Sequence, residues 1–261
     1  MSTISQCLKN IQIHVDSRYR NTAVHKHSNE FKLTCNDIKN VKSIDLINMQ
    51  IPNTFETFCS EYNNNYIKIG LTSNNMHTLT IDNGSFESND MIIHLNILLT
   101  QLNITHGYNF NASTNSNSGC VTISNDVNFI MDFNNNHIRY SLGRHLGYIN
   151  DEYTGSDSYT SESIISVTGE NYIYMYLNDY STILIPHSAN MLHTNIFAKI
   201  PISESKFGII FHTKSDYISK IDFDKLITLN KIHVILLDSW GDRLIYNYVD
   251  YSFTLNVVYY E

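Results

Sequence analysis

The sequence predicts an all-β protein: a sandwich or barrel of about ten short strands with one or two short helices and long polar loops. Three observations carry this. The chain of 261 residues holds 18 Tyr and 12 Phe, which suit pleated, half-buried surfaces, whereas Ala, the best helix former, occurs only four times. Several segments alternate apolar and polar residues with period two. Turn residues, many of them among the 33 Asn, punctuate these segments throughout.

The elements follow in order. Phe31-Lys32-Leu33 and residues 41–51 read as two strands, the second stopped by Pro52-Asn53. Residues 66–69 and 78–81 add two more, the latter ended by the turn Asp82-Asn83-Gly84. One helix is clear: Ser88 as N-cap, Asp90 in the first turn, and Ile92, Leu95, Leu98, Leu99 and Leu102 on one face. Residues 105–120 are turn-rich and read as loop, as do 150–163. Short strands are expected at 121–123 and 129–133, and a short helix at 141–146 with Gly147 in the left-handed position after it.

In the second half, residues 172–177 place Tyr172, Tyr174 and Tyr176 on one face and Ile173, Met175 and Leu177 on the other. Residues 196–200 run into Pro201, which belongs at an edge or strand end, and 207–211 form a further strand. Residues 232–237 are apolar on both faces, as in a central strand, and 238–242 read as a hairpin into the last strand. From Ile245 the odd positions, through Val249, Tyr251, Phe253, Leu255, Val257 and Tyr259, are mostly apolar; the even ones include Asp250, Ser252, Thr254 and Asn256. One side of that strand faces a core.

The net charge of −8 is uneven, because residues 1–43 carry +4 and the remainder −12. Residues 1–30 are therefore expected as a basic arm, either able to meet an anionic surface, such as an internal membrane, or simply solvated beside an acidic surface that keeps the chain in solution, with 31–261 as one domain. No run of Lys and Arg and no nucleic-acid-binding motif is present, so specific nucleic-acid readout is not expected. Cys7, Cys35, Cys59 and Cys120 lack C-x-x-C spacing and are expected as free, buried thiols of a reducing compartment. The first residues lack a signal peptide's charged and apolar regions, and no apolar stretch approaches a membrane span, so a soluble protein is expected.

No nucleophile elbow, phosphate-binding glycine loop or HExxH pair occurs. His25 and His27 are two apart but have no acidic or Cys companion nearby, and a metal site needs three or four ligands. Asp222 and Asp224 read as a solvated loop, since acid–base pairs come from separate segments meeting in a cleft. His187 and His193 flank a loop and carry no better claim. Neither catalytic residues, nor a metal, nor a cofactor is expected. The tyrosine face at 172, 174 and 176 is either a contact surface, where Tyr is favoured, or a sheet face packed beneath the same chain.

Asp16-Ser17-Arg18-Tyr19-Arg20-Asn21, Phe31-Lys32-Leu33, the run from Ile38 through Leu46 and the closing Ile51-Pro52-Asn53-Thr54 resemble the opening of penton-type and related minor capsid proteins of large eukaryotic DNA viruses and virophages. Weaker similarities follow at Asp82-Asn83-Gly84, Leu146-Gly147-Tyr148, Phe197-Ala198-Lys199-Ile200 and the Asp238–Gly241 turn. The resemblance implies a single jelly roll over 31–261, with 105–160 as a loop or insertion. It implies a homopentamer at the fivefold vertices of an icosahedral capsid, in contact with the major capsid protein and other minor capsid proteins, assembled in the host cytoplasm. The family brings no catalytic residues. For Asp16, Ser17, Arg18 and Arg20 the side chains themselves suggest ion pairs across a subunit boundary, or else a local turn capped by Asp16. A cement protein linking major capsomers and a glycan-binding jelly roll are the alternatives.

Overall fold

The computed structural model describes residues 7–135, 140–184, 195–213, 219–245 and 249–261. Its elements run β1 (Leu8–Asp16), β2 (Glu30–Pro52), β3 (Tyr66–Gly70), β4 (Met76–Thr80), α1 (Ser88–His106), β5 (Asn111–Thr114), β6 (Val121–Asp132), α2 (Leu142–His145) and β7 (Glu152–Thr160). There follow β8 (Tyr172–Leu177), β9 (Ile183–Leu184), β10 (Asn195–Ile196), β11 (Ala198–Pro201), β12 (Ile209–Thr213), β13 (Lys220–Leu237) and β14 (Ser252–Tyr260). They fall into two compact units, Met1–Phe55 with Glu170–Glu261, and Glu56–Gly169.

The first unit is a β-sandwich whose pairing is that of a jelly roll. In one layer β1 pairs with β14, β14 with the second half of β2, and that half of β2 with β12. In the other, the first half of β2 pairs with β13, β13 with β8, and β8 with β11. These are two four-stranded antiparallel layers linked by strands that cross between them. β2 changes layer near Asn40, whose φ of 56° is the left-handed conformation Asn tolerates better than most residues. β13 shifts register against β2 three times between Asp222 and Lys231. The two short strands predicted at 31–33 and 41–51 are thus one bent strand, ending at Pro52 as expected.

One core lies between the layers. Phe31, Ile44, Leu46 and Met49 of β2, Met175 of β8, Leu236 of β13, and Phe253, Leu255 and Val257 of β14 are all buried in it. The odd-position rule read from the C-terminus holds for β14, and the both-faces-apolar segment 232–237 is central. The predicted hairpin at 238–242 is only half right. Asp238 accepts from the backbone N–H of Trp240 (2.8 Å) and Asp242 (3.1 Å), making a tight turn. β13 and β14 then diverge to different layers, because each finds better partners at long range.

The N-terminal segment is not a free arm: β1 pairs with β14 from Leu8 to Asp16. Its exposed surface reflects an edge strand, on which Ile11, Ile13 and Val15 alternate with polar residues and only the far end, Val15 and Asp16, is buried.

In the second unit β6 lies between β7 on one side and β3 with β5 on the other, and β4 lies outside β3. Met91, Leu95, Leu99 and Leu102 of α1 are buried in this unit's own core, with Phe110, Phe129 and Phe133. Glu87, not Ser88, occupies the N-cap position, and the helix runs to His106, where Gly107 at φ 71° ends it. The short helix predicted at 141–146 is α2, with Ser141 as its cap rather than its first residue, and Gly147 stands after it at φ 96° as expected. The stretches 105–120 and 150–163, read as loops, contain β5 and β7. Asn111 to Thr114 is only four residues long, and β7 is polar apart from Tyr153, Tyr159 and Gly155, so neither has a hydrophobic signature.

The two ends of this unit meet. A side-chain carbon at Gly169, which stands at φ 81°, would lie 2.5 Å from the Thr57 hydroxyl oxygen.

Candidate assembly surface

The charged N-terminal run resolves into two arrangements. Asp16, the last residue of β1, is buried and caps a single turn at residues 17–19. Its carboxylate accepts from the Arg18 backbone N–H (2.9 Å), from Arg18 Nε (3.0 Å) and from Nη2 (2.6 Å). The bidentate guanidinium holds the Asp16 carboxyl below its ordinary value. Arg18 itself is 70% exposed on its side chain, so its outer face is open to solvent.

Arg20 points the other way. Only 7% of its side chain is exposed, and it forms an ion pair with Asp250. It also donates to the backbone carbonyls of Ser17 (2.8 Å) and His25 (3.2 Å). Ser17 completes the cluster: its hydroxyl donates to Asp250 (2.6 Å) and accepts from the Tyr251 N–H (3.0 Å). These bonds pin the turn after β1 to the start of β14. The structure therefore gives Asp16, Ser17 and Arg20 an internal role, because buried charges need partners and find them here within one chain. Only Arg18 is placed where a neighbouring molecule could reach it.

The tyrosine face is likewise covered. Tyr174 and Tyr176 are buried in a small cluster with Ile196, Ile235 and Leu237, on the side of β8 away from the main core. The covering element is the two-stranded sheet of β9 and β10, too short to be seen as strands in the sequence. Tyr176 donates to Asp179, and burial pushes its hydroxyl up to about 12. Tyr172 alone is partly exposed, with the Lys199 ammonium 3.9 Å from its ring centre.

Beside Tyr176 is a polar cluster the sequence did not disclose. Glu30 accepts an ion pair from Arg243 (2.6 Å) and lies 3.2 Å from His233, whose imidazole stands edge-on to Tyr176. Burial lowers the His233 pKa. Its members are separated by some two hundred residues, so no local spacing could have found it. Asp222 and Asp224 lie on β13 rather than in a loop; Asp222 is exposed and pairs with Lys220 at 3.0 Å. His187 and His193 lie outside the described residues.

Among the described residues, no group of three or more His, Cys, Asp or Glu could hold a metal ion, and no helix is long and apolar enough to cross a membrane. All four cysteines are free, but only Cys59 is buried and Cys7 is exposed. No protein-family model and no curated protein matches the sequence. Among solved structures, the crystal structure of the selenomethionine-labelled mavirus penton protein is similar over 95% of this chain and 99% of that one, with 11% identity and a TM-score of 0.49.

Proposed function

We propose that this protein is a structural component of a viral capsid, a penton-type subunit that forms homopentamers at fivefold vertices. The observation that carries the reading is the coincidence of two independent features. The strand order is that of a jelly roll, and the Asp16-Ser17-Arg18-Tyr19-Arg20 run that resembles penton openings occupies the turn anchoring the first strand of that jelly roll. The motif thus does structural work in the fold it predicts. Major and minor capsid proteins are the implied partners, and the virion the implied location.

The test is the solution mass of the purified protein. A species of about 150 kDa, five copies of the 30.1 kDa chain, is expected for a closed vertex ring. A chain that stays at 30.1 kDa at all concentrations would overturn the self-assembling pentamer and favour a cement protein.

A further inference from the structure

The layer β1-β14-β2-β12 has two outer strands, each paired on one side only among the described residues. β12 and the turn before it present three large apolar side chains to water: Phe207 is 84% exposed, Ile209 47% and Phe211 59%. Phe207 stands at φ 68°, where a bulky residue is rarely found. Its turn is held firmly. The Phe207 N–H donates to the Asn53 carbonyl (2.9 Å), the Asn53 N–H to the Gly208 carbonyl (2.8 Å), and Lys206 Nζ to the Phe55 carbonyl (2.8 Å). A strained backbone therefore holds an aromatic ring outward beside a sheet edge.

Soluble proteins guard free edges with lysine, proline or a bulge, and Ile209-Ile210-Phe211 contains none of these. At the opposite edge, β1 exposes Leu8 (57%) and Ile11 (44%), while its one lysine, Lys9, is paired with Glu261. Each strand of the layer is antiparallel to the next, so β1 and β12 run in opposite directions. Turning a second copy about an axis along the strands brings its β1 beside β12 in the antiparallel sense, which gives the better-aligned ladder.

We infer that copies of this chain join edge to edge, β12 of one adding to β1 of the next. The partner is a second copy because the same layer supplies both halves of the contact: two edges that no other strand pairs among the described residues, with exposed apolar side chains at Ile209 and Phe211 on one and at Leu8 and Ile11 on the other, and of opposite strand direction. A head-to-tail contact uses both edges of every copy and can close into a ring. A β12-to-β12 contact would stop at two copies and leave β1 bare. The inference rests on the capsid reading for the purpose of the ring, and on the edges alone for the contact.

Complementation tests it. Ile209→Lys with Phe211→Lys blocks one edge, and Leu8→Lys with Ile11→Lys blocks the other; circular-dichroism melting checks that each folds. Should either melt early, Phe211→Ser or Leu8→Ser alone takes its place. By mass photometry the wild type assembles and each variant alone remains a monomer. Their equimolar mixture gives a species of about 60 kDa, two 30.1 kDa chains joined through the one intact edge of each. Wild-type rings that persist in both variants would overturn the edge contact while leaving the vertex reading intact. Dimers of the β1 variant alone, or a wild type that never associates, would also overturn it. An edge-dependent ring of a number other than five would keep the contact and overturn the vertex reading.

Discussion

Arg18 and Arg20 are two positions apart and chemically identical, yet the fold assigns them opposite environments. Removing the buried Arg20 side chain takes the ion-pair partner from Asp250, which is a third exposed and keeps the Ser17 hydroxyl, and the donor from the His25 carbonyl, so Arg20→Ala should cost roughly 2–3 kcal/mol in urea unfolding. Arg18→Ala should cost distinctly less, since its guanidinium is largely in water although it is bidentate on the buried Asp16, which keeps the Arg18 backbone N–H. Equal losses would contradict the two roles. Among the described residues, three histidines contribute a pH response of known sign. Burial lowers the pKa of His77, His145 and His233, with the nearby His106 contributing at His77 and the Glu30 hydrogen bond opposing the shift at His233. Each binds a proton less readily in the folded chain than in the unfolded one. Their stabilisation is therefore present above the ordinary histidine value of about 6.5 and is lost as the pH falls below it. Melting at pH 7.5 and 5.5 should show the drop, and His145→Gln should reduce it; a melting temperature that rises on acidification would refute the assignment.

At the scale of elements, asparagine explains much that its abundance alone does not. Asn96 and Asn103, two turns apart on α1, each use both amide atoms on the backbone: Asn96 bridges the N–H and carbonyl of Ala112 (2.8 and 2.7 Å), and Asn103 those of Phe110 (both 2.8 Å). A side-chain amide thus stands in for a peptide unit and docks the helix on β5 as a neighbouring strand would. Asn96→Ala should cost about 1–3 kcal/mol by leaving both Ala112 groups unpaired, measurable as a lower denaturant midpoint without a change of slope. Strands with alternating or continuous apolar residues, such as β14 and the end of β13, were legible in the sequence because burial imposes a period on them. β5 and β7 were not, since polar, exposed strands impose none, while the alternation of Ile11, Ile13 and Val15 in β1 was overshadowed by the charge of the segment around it. The turn at Asp238 was legible from its own side chain; the separation of β13 from β14 was not, because pairing is decided at long range. The same holds for the candidate residues: the capping by Asp16 could be read locally, whereas Arg20's partner Asp250 lies 230 positions away.

For the molecule as a whole, two cores mean two cooperative bodies. The buried residues of one cluster all fall between Phe58 and Val167, and those of the other all fall outside that interval. Residues 56–169 expressed alone should therefore fold, with a sigmoidal thermal transition and dispersed amide resonances. A collapsed, non-cooperative fragment would show that its core needs the remainder of the chain.

The close approach of Gly169 to Thr57 carries a consequence for exchange of parts. Because the chain leaves and re-enters the jelly roll through a neck only one side-chain contact wide, the entropy of closing that connection hardly depends on what hangs from it. The position behaves as a socket. A different folded body whose termini are equally close could be fitted there without altering the register of a single jelly-roll strand, so the jelly roll and its passenger are free to change on separate schedules.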